Sequence, residues 1–220
     1  MASGSTMPSM TISAGDLRAV VPARERILAA AFEAFAEQGF ARTSTLDIAR
    51  RARVSKRDLY AHFPDKQALL TACIERRAEA MRLLPDLPPP TNRQMLAASL
   101  AAFGQNLIRE IIEPRVITAF RLAIGEAQRF PELAQTLERA GREGARRALV
   151  KLLTKAQSRE LLGPGEPQDL AAQYFGLLWE GLLISLLLGV TPPPGPDEIA
   201  RRAKKATDAF LQLHPEPGAG

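Results

Sequence analysis

Residues 44–63 read STLDIARRARVSKRDLYAHF, a pattern that predicts two short helices joined by a tight turn. Each helix opens with a serine three residues before an aspartate, and the pairs are Ser44 with Asp47 and Ser55 with Asp58. In this spacing the serine hydroxyl caps the first turn and the acidic side chain bonds back to the serine. We therefore expect helices over residues 45–52 and 56–63.

The two helices have the composition of a helix-turn-helix. Ala49 supplies the small residue that is needed where their axes cross. An apolar face that packs the pair against a preceding helix is formed by Ile48, Ala52, Val54 and Leu59. The polar side of residues 56–62 then faces outward, where Lys and Arg can reach guanine edges in a major groove and neighbouring donors can hold phosphates.

The basic segment, residues 50–57, contains no acidic residue and carries five cations, Arg50, Arg51, Arg53, Lys56 and Arg57. The 220-residue chain has a formal net charge of +5 and a pI of about 9.8, which favours a polyanionic partner such as double-stranded DNA. A charge run can also be a solvated helix face. The alternative is therefore a helical protein that binds a small molecule and whose basic segment serves a partner other than DNA.

Helix signals separated by proline or glycine fill the rest of the chain, and strand signals are nearly absent. A first helix is predicted over residues 24–38, with Gly39 as its C-terminal stop. Asp65 is placed to cap a fourth helix. Residues 85–90 read PDLPPP and predict an extended connection.

Beyond that connection, Thr91 and Gln94 have capping-box spacing and predict the start of a long helix. The later helices are bounded by Pro114, Pro131, residues 163–165 and residues 192–196, and the last is predicted over 197–213. The sequence thus predicts an all-α fold of about nine helices, three in an N-terminal helix-turn-helix domain and six in a larger ligand-binding and dimerisation domain.

Four regions are predicted along the chain. They are a disordered arm over residues 1–21, a DNA-binding domain over 22–68, an effector-binding and dimerisation domain over 69–213, and a flexible tail over 214–220. Cys73 is the only cysteine, which excludes an intramolecular disulfide and fits a reducing cytoplasm. The most apolar stretch, residues 174–190, is shorter than the roughly 20 residues that span a membrane. We expect a cytoplasmic protein without a membrane partner.

Motifs for catalysis are missing from the sequence. No Cys/His spacing indicates a metal site, and no glycine-rich phosphate loop or base–nucleophile pair is present. The sequence therefore predicts neither a metal nor a cofactor, no catalytic residue, and a protein that is not an enzyme.

Several segments at fixed spacing together resemble the signature of the TetR family of transcriptional regulators. They are residues 39–49 (GFARTSTLDIA), 54–55 (VS), 59–63 (LYAHF) and 66–69 (KQAL). Residues 121–133, RLAIGEAQRFPEL, are also similar to one branch of the family's C-terminal domains. The resemblance implies an all-helical homodimeric repressor whose C-terminal domain binds a small-molecule effector.

The resemblance also implies roles for residues near the turn. Lys56 and Arg57 lie where base-reading residues are expected, and Tyr60 and His62 occupy backbone-contacting positions. Lys66 resembles the phosphate-binding lysine that opens the fourth helix. The predicted DNA contacts are Thr45, Arg53, Ser55, Lys56, Arg57, Tyr60, His62 and Lys66.

Arg53 departs from the family pattern, which usually has glycine in the turn. A non-glycine residue there must adopt a left-handed conformation, at a cost on the order of 1 kcal/mol or more, or change the turn. Because Arg53 is basic and close to the expected duplex, a phosphate contact could offset that cost. Thr45 resembles the residue that caps the second helix and touches a phosphate.

The sequence does not specify the effector, but the candidate lining is aromatic and aliphatic, which favours a largely apolar molecule. The candidate contacts are Met95, Phe103, Phe120, Arg121, Phe175, Trp179 and Glu180. Glu180 interrupts the most apolar helix, where an ionised carboxylate needs a partner. That partner is either an internal base such as Arg121 or a donor on the effector.

The last two helices, residues 169–190 and 197–213, are the expected dimer surface. An apolar stripe wider than one chain needs is formed by Leu170, Tyr174, Leu177, Gly181, Ile184, Ser185 and Leu188. A second copy would complete a four-helix interface with two-fold symmetry. That symmetry predicts a roughly palindromic operator.

Overall fold

The computed structural model describes residues 21–80, 89–139 and 143–218 of the chain. The described residues form eleven helices and no strand, which confirms the all-α class. In chain order the helices are α1 Ala23–Arg42, α2 Thr45–Ala52, α3 Lys56–His62, α4 Lys66–Ala80, α5 Arg93–Ile111, α6 Pro114–Glu126, α7 Pro131–Leu137, α8 Glu143–Gln157, α9 Pro167–Trp179, α10 Leu182–Leu188 and α11 Pro196–Leu213. Almost all of the expected arm (1–21) and most of the expected extended connection (85–90) lie outside the described residues.

The expected count of about nine helices is wrong for the described residues, because two predicted helices are each divided. The single helix expected across residues 174–190 ends at Trp179. Glu180 (φ 34°, ψ 50°) and Gly181 (φ 81°, ψ −13°) both adopt the left-handed conformation there, and α9 and α10 meet at a bend of 55°. The region after Pro131 likewise forms α7 and α8 as separate helices.

The first compact unit is built by α1, α2, α3 and the start of α4. Its core contains side chains with no exposed surface from each of these helices, among them Ile27, Phe35, Ile48, Leu59 and Leu69. These are the apolar faces that the helical periodicity predicts. The polar sides of α2 and α3 are consequently left on the surface.

The connection between α1 and α2, residues 39–44, is closed by side chains. Gly39 has non-helical angles (φ 76°, ψ 165°), so the expected stop appears as a break inside α1. Beyond it, the Thr43 hydroxyl donates to the carbonyls of Ala34 (3.1 Å) and Gly39 (2.8 Å). Arg42 Nε donates to the Gln38 carbonyl at 3.0 Å. Side chains therefore satisfy several of the main-chain acceptors that a helix end leaves without partners.

The boundary between the two compact units lies inside α4, between Cys73 and Ile74. The sequence-based boundary at residues 68–69 falls in the same helix. Cys73 is 3% exposed, and its thiol donates to the Leu28 carbonyl at 3.5 Å. It is a small buried side chain of the first unit's core.

The second compact unit is built around α11, which packs against α5 and α9. The Tyr174 hydroxyl donates to the Leu100 carbonyl at 2.6 Å and lies 3.3 Å from the Thr207 hydroxyl. Burial raises the pKa of Tyr174 to about 12, so the phenol is a neutral donor. A Cβ at Gly104 would lie 2.8 Å from the Tyr174 hydroxyl, so only glycine permits this approach of α9 to α5.

The start of α5 corrects one expectation. Asn92, rather than Thr91, caps the helix, and its side chain accepts from the Met95 amide at 2.8 Å. The Thr91 hydroxyl donates to the Met95 sulfur at 2.9 Å instead. The side-chain oxygen of Asn92 thus accepts from the third amide of the helix, as is typical of an N-cap residue.

Among the described residues, no single helix is long and apolar enough to cross a bilayer, and the bent pair α9–α10 meets the criteria only when both helices are counted together.

Candidate nucleic-acid interface

The turn between α2 and α3 keeps its tight geometry with Arg53 in place. Arg53 adopts the left-handed conformation (φ 54°, ψ 49°) and caps the C-terminus of α2. Its amide donates to the Arg50 carbonyl at 3.2 Å, and the Val54 amide donates to the Ala49 carbonyl at 3.1 Å. Of the two alternatives that the sequence allowed, the backbone therefore accepts the strained conformation rather than changing the turn.

Helix α3 starts at a complete capping box. The Ser55 hydroxyl accepts from the Asp58 amide at 3.0 Å, and Asp58 Oδ2 accepts from the Ser55 amide at 3.2 Å and from the Ser55 hydroxyl at 2.7 Å. These hydrogen bonds from the Ser55 hydroxyl and amide lower the pKa of Asp58. The box confirms the predicted start of the helix and sets the direction in which the residues after Ser55 project.

Three of the predicted DNA contacts lie together on the surface. The Thr45 hydroxyl lies 3.1 Å from the Tyr60 hydroxyl, which joins the first residue of α2 to α3. The Lys56 ammonium lies 5.7 Å from the centre of the Tyr60 ring, and Tyr60 is 42% exposed. A hydroxyl pair and a cation side by side, next to the N-terminus of α2, make a surface suited to a phosphate.

The cations of the basic segment divide into two groups. Arg50, Arg53 and Arg57 are exposed, and in the part of the chain that the structure describes no carboxylate pairs with them. Arg51 is different, because it contacts Glu37 at 2.8 Å and Asp47 at 3.0 Å. Its hydrogen bond to Glu37 is the main cause that raises the pKa of Arg51. Arg51 therefore joins α2 to α1, which the run of charge in the sequence did not indicate.

Lys66, the first residue of α4, contacts the connection between α1 and α2. Its ammonium donates to the main-chain carbonyls of Phe40 (2.7 Å), Thr43 (3.0 Å) and Ala41 (3.4 Å). It also lies 4.4 Å from the centre of the Phe40 ring. No residue pattern predicts these contacts, because their acceptors are carbonyls that any residue type would supply.

The remaining predicted contacts, Ser55 and His62, are both exposed. The Ser55 hydroxyl is used in the capping box described above. The His62 ring lies 6.4 Å from that of Phe63, at the last residue of α3. His62 is thus available at the surface, at the opposite end of α3 from Lys56.

Comparison with known proteins identifies the family that has this arrangement of helices. Residues 27–73 match the family described as bacterial regulatory proteins, tetR family. Residues 98–214, more than half of the chain, match the C-terminal domain of AefR-like transcriptional repressors. This chain belongs to the TetR family. The members of this family are DNA-binding regulators and not enzymes.

Individual relatives support the same assignment. The chain is 33% identical over 120 residues to the HTH-type transcriptional activator FasR of Mycolicibacterium smegmatis, a match that covers 46% of this chain and 52% of FasR. It is 29% identical over 132 residues to an HTH-type transcriptional repressor of Mycobacterium tuberculosis, covering 58% and 66%. The matches span about half to two thirds of these relatives.

Solved structures of TetR regulators match over most of their length. The flavonoid-responsive regulator FrrA is 30% identical, with a TM-score of 0.72 over 90% of this chain and 98% of FrrA. A TetR-family protein of Mesorhizobium loti is 25% identical, with a TM-score of 0.73 over 87% of this chain and 96% of the other.

The second unit of this TetR regulator brings together some of the predicted effector contacts. The rings of Phe103 and Phe175 lie 6.2 Å apart. Phe120, Phe175 and Trp179 are partly buried and pack against the same apolar core that contains Phe103. Met95 is separate from them, since it is 39% exposed and lies two turns before Phe103 on α5.

Glu180 and Arg121 do not pair with each other, which corrects one of the two expected partners of Glu180. The Glu180 carboxylate is largely exposed and accepts from Lys205 with both oxygens at 3.1 Å. Arg121 donates instead to the carbonyls of Leu186 (2.8 Å) and Leu187 (2.9 Å). The reason is the break after α9, which exposes Glu180 and leaves the carbonyls at the end of α10 for Arg121.

Proposed function

We propose that this TetR-family chain is a homodimeric repressor that binds a roughly palindromic operator and leaves it when a small, largely apolar effector enters the second unit. The observation that carries the proposal is the group of exposed cations around the capped helix α3. Arg53, Lys56 and Arg57 all face solvent there, and among the described residues none of them forms a salt bridge with a carboxylate. Solvated cations fixed on a short rigid helix are suited to a polyanion.

The contacts divide by the part of DNA that they reach. Lys56 and Arg57 lie in the first turn of α3, where a helix inserted in the major groove reaches base edges. The contacts proposed for the DNA backbone are Thr45, Arg53, Ser55, Tyr60, His62 and Lys66. The hydroxyl pair of Thr45 and Tyr60, already 3.1 Å apart, supports this division because it is formed before DNA arrives.

A second copy of the chain is the proposed partner at α9, α10 and α11. Ile184 is 61% exposed, and Leu188 and Val190 are each 73% exposed. Large apolar side chains grouped this closely on one short helix and its end favour burial against another chain. A dimeric helix-turn-helix protein reads two half-sites in successive major grooves, about 34–36 Å apart, which is the basis of the proposed palindromic operator.

The proposed effector site is the aromatic group of Phe103, Phe120, Phe175 and Trp179. These side chains come from α5, α6 and α9 and carry few polar groups, which supports a largely apolar ligand. The structurally similar FrrA is named as flavonoid-responsive, which supports an aromatic effector. As effector contacts, Met95, Arg121 and Glu180 stay predictions, since each side chain is engaged or exposed elsewhere.

Release is proposed to follow a population shift. Helix α4 belongs to both units, because the boundary between them lies inside it. An effector that binds one arrangement of the second unit more tightly favours that arrangement. Helix α4 is then the element through which the change reaches α2 and α3, so that the two copies no longer fit successive grooves.

Selection of bound sequences from random DNA tests this proposal. The wild-type protein should enrich one roughly palindromic site, and a screen of aromatic and aliphatic compounds for release should find ligands that weaken binding to it. Weak, salt-insensitive binding to every DNA would contradict the proposal. That result would favour the alternative of a small-molecule-binding protein whose basic segment serves another partner.

A further inference from the structure

The motif at residues 121–133 begins with an arginine whose contacts the proposed function does not use. From α6, Arg121 donates to two carbonyls at the C-terminus of α10, from Nε to Leu187 at 2.9 Å and from Nη2 to Leu186 at 2.8 Å. We propose that Arg121 is a positioning residue that holds the end of α10 where it meets a second copy of the chain. This inference rests on the proposed function, because it concerns the proposed dimer.

The end of α10 offers carbonyls that its own main chain satisfies only in part. Gly189 adopts the left-handed conformation (φ 72°, ψ 19°), and its amide donates to the Leu186 carbonyl at 3.1 Å. The Val190 amide donates to the Ser185 carbonyl at 2.9 Å. This closing pattern leaves the Leu187 carbonyl for another donor, which Arg121 supplies. The positive guanidinium also suits the negative end of a helix dipole.

Few other contacts fix the position of α10. Leu186 is the one fully buried side chain among its seven residues, and the chain enters α10 through a 55° bend. The helix against which α10 packs is α6, the helix that carries Arg121. A short helix with so small a buried surface opens easily. Hydrogen bonds from a charged donor are stronger than those between neutral groups, so the two from Arg121 stabilise α10 where it stands.

The surface that Arg121 positions is the apolar surface of the proposed dimer. The exposed side chains of Ile184 and Leu188 belong to α10, and that of Val190 follows its C-cap. Ordering a loose segment at the moment of association lowers affinity. Because Arg121 fixes α10 before association, it strengthens the dimer through α10 and from outside the apolar surface itself.

The test compares Arg121→Gln with the matched variant Arg115→Gln in the full-length protein. Arg115 is exposed on the same helix, and within the described residues it forms no salt bridge, so each variant removes one charge from α6. In sedimentation equilibrium, Arg121→Gln should raise the dimer dissociation constant about tenfold or more, since each dimer contains the contact twice. Arg115→Gln should leave it unchanged. Arg121→Lys, which keeps the charge and donors, should recover part of the lost affinity.

Hydrogen exchange separates positioning of α10 from a general loss of stability. It is measured in the background of Leu188→Glu, whose added charge opposes dimerisation, so that loss of the second copy does not itself expose α10. Adding Arg121→Gln to this background should speed exchange over residues 182–190 and leave exchange in α5 unchanged. Adding Arg115→Gln should change neither segment.

A dissociation constant for Arg121→Gln close to the wild-type value, or unchanged exchange over residues 182–190, would overturn the inference and leave the proposed dimer intact. A Leu188→Glu protein that remains dimeric would also overturn it, because the interface would then lie away from α10. If Arg121→Gln does not fold, Arg121→Met supplies the same comparison, and failure of both to fold would show that Arg121 supports the whole second unit instead. A wild-type protein that is monomeric at micromolar concentration would contradict the proposed homodimer itself, so the two failures are distinguishable.

Discussion

At the scale of single residues, Arg53 illustrates a choice between stability and binding. Its left-handed backbone costs about 1–2 kcal/mol. Glycine would remove this cost, but the extra freedom that glycine gives the unfolded chain would lower stability by about 0.4–1 kcal/mol. Arg53→Gly should therefore raise the free energy of unfolding by roughly 0.5–1 kcal/mol. It should also lower the slope of log affinity against log salt concentration for operator binding. Thermal unfolding measures the change in stability, and binding titrations at several salt concentrations measure the slope.

Arg50→Ala is the control for that substitution. Arg50 is exposed and unpaired within the described residues, and it lies in the last turn of α2 with ordinary helical geometry. Removing its charge should leave thermal stability nearly unchanged. A melting temperature for Arg53→Gly equal to or below the wild-type value would show that the turn stores no strain.

Asp58 makes the start of α3 sensitive to pH. Its pKa is lowered in the folded state by the hydrogen bonds from Ser55, so its contribution to stability is complete above the unfolded value of about 4 and is lost as the pH falls through the folded value. The free energy of unfolding should therefore decline below about pH 4 faster in the wild-type protein than in Asp58→Asn, which has no carboxyl group to protonate, as denaturant unfolding at several pH values would measure. Parallel profiles for the two proteins would contradict this assignment.

Much of the candidate site was predictable from the sequence, because short-range patterns encode it. The caps at Ser44 and Ser55 and the exposure of Lys56 and Arg57 follow from residue spacing alone. The contacts of Arg51 and Lys66 were not predictable. Their partners are Glu37 and the carbonyls of the α1–α2 connection, which only the packing of three helices brings within reach.

At the scale of helices, Gly104 controls how closely α9 approaches α5. In Gly104→Ala the added methyl group would lie 2.8 Å from the Tyr174 hydroxyl and 3.0 Å from Leu178 Cδ1, so the helices must separate. We expect a loss of about 1–3 kcal/mol, measured by denaturant unfolding. The control is Gly176→Ala on α9, where a Cβ meets nothing within 4 Å and the change should stabilise by roughly 0.5–1 kcal/mol. Equal effects of the two substitutions would contradict the packing argument.

The α9–α10 break gives Glu180 a role that differs from the one expected in a buried helix. The Glu180 carboxylate pairs with the exposed Lys205 at 3.1 Å and, more weakly, with Arg202 at 3.8 Å, and because Glu180 itself is largely exposed such pairs contribute about 0–1 kcal/mol. Glu180→Gln should therefore change the melting temperature, the operator affinity and the response to an effector very little. A blunted response in an otherwise normal protein would instead place Glu180 at the effector.

The break itself shows why the helix count could not be predicted. Residues 182–188 are all apolar except Ser185, and a single acid and glycine before them are compatible with one continuous helix. Two successive left-handed residues, Glu180 and Gly181, end α9, and the chain bends by 55° into α10. Periodicity specifies which face of a helix is buried, but not where tertiary packing divides it.

For the whole molecule, assembly should depend on the exposed end of α10. Leu188→Glu places a charge where 73% of the side chain is exposed in one chain, so folding of the monomer should be unaffected. Dimerisation should be lost, and operator affinity with it, as sedimentation and binding measurements would show. Leu188→Met, which keeps the apolar area, is the control. A dimer that persists in Leu188→Glu would locate the interface elsewhere.

The buried position of Cys73 has a practical consequence for observing the two copies together. A thiol that is 3% exposed reacts slowly with maleimides and methanethiosulfonates, and the sequence has no other cysteine. A cysteine introduced at Arg50 would therefore take up a spin label or fluorophore selectively without removal of the native one. Pulsed electron-spin or energy-transfer distances between the labelled α2 helices would then follow the separation of the two recognition surfaces directly, with and without operator or effector.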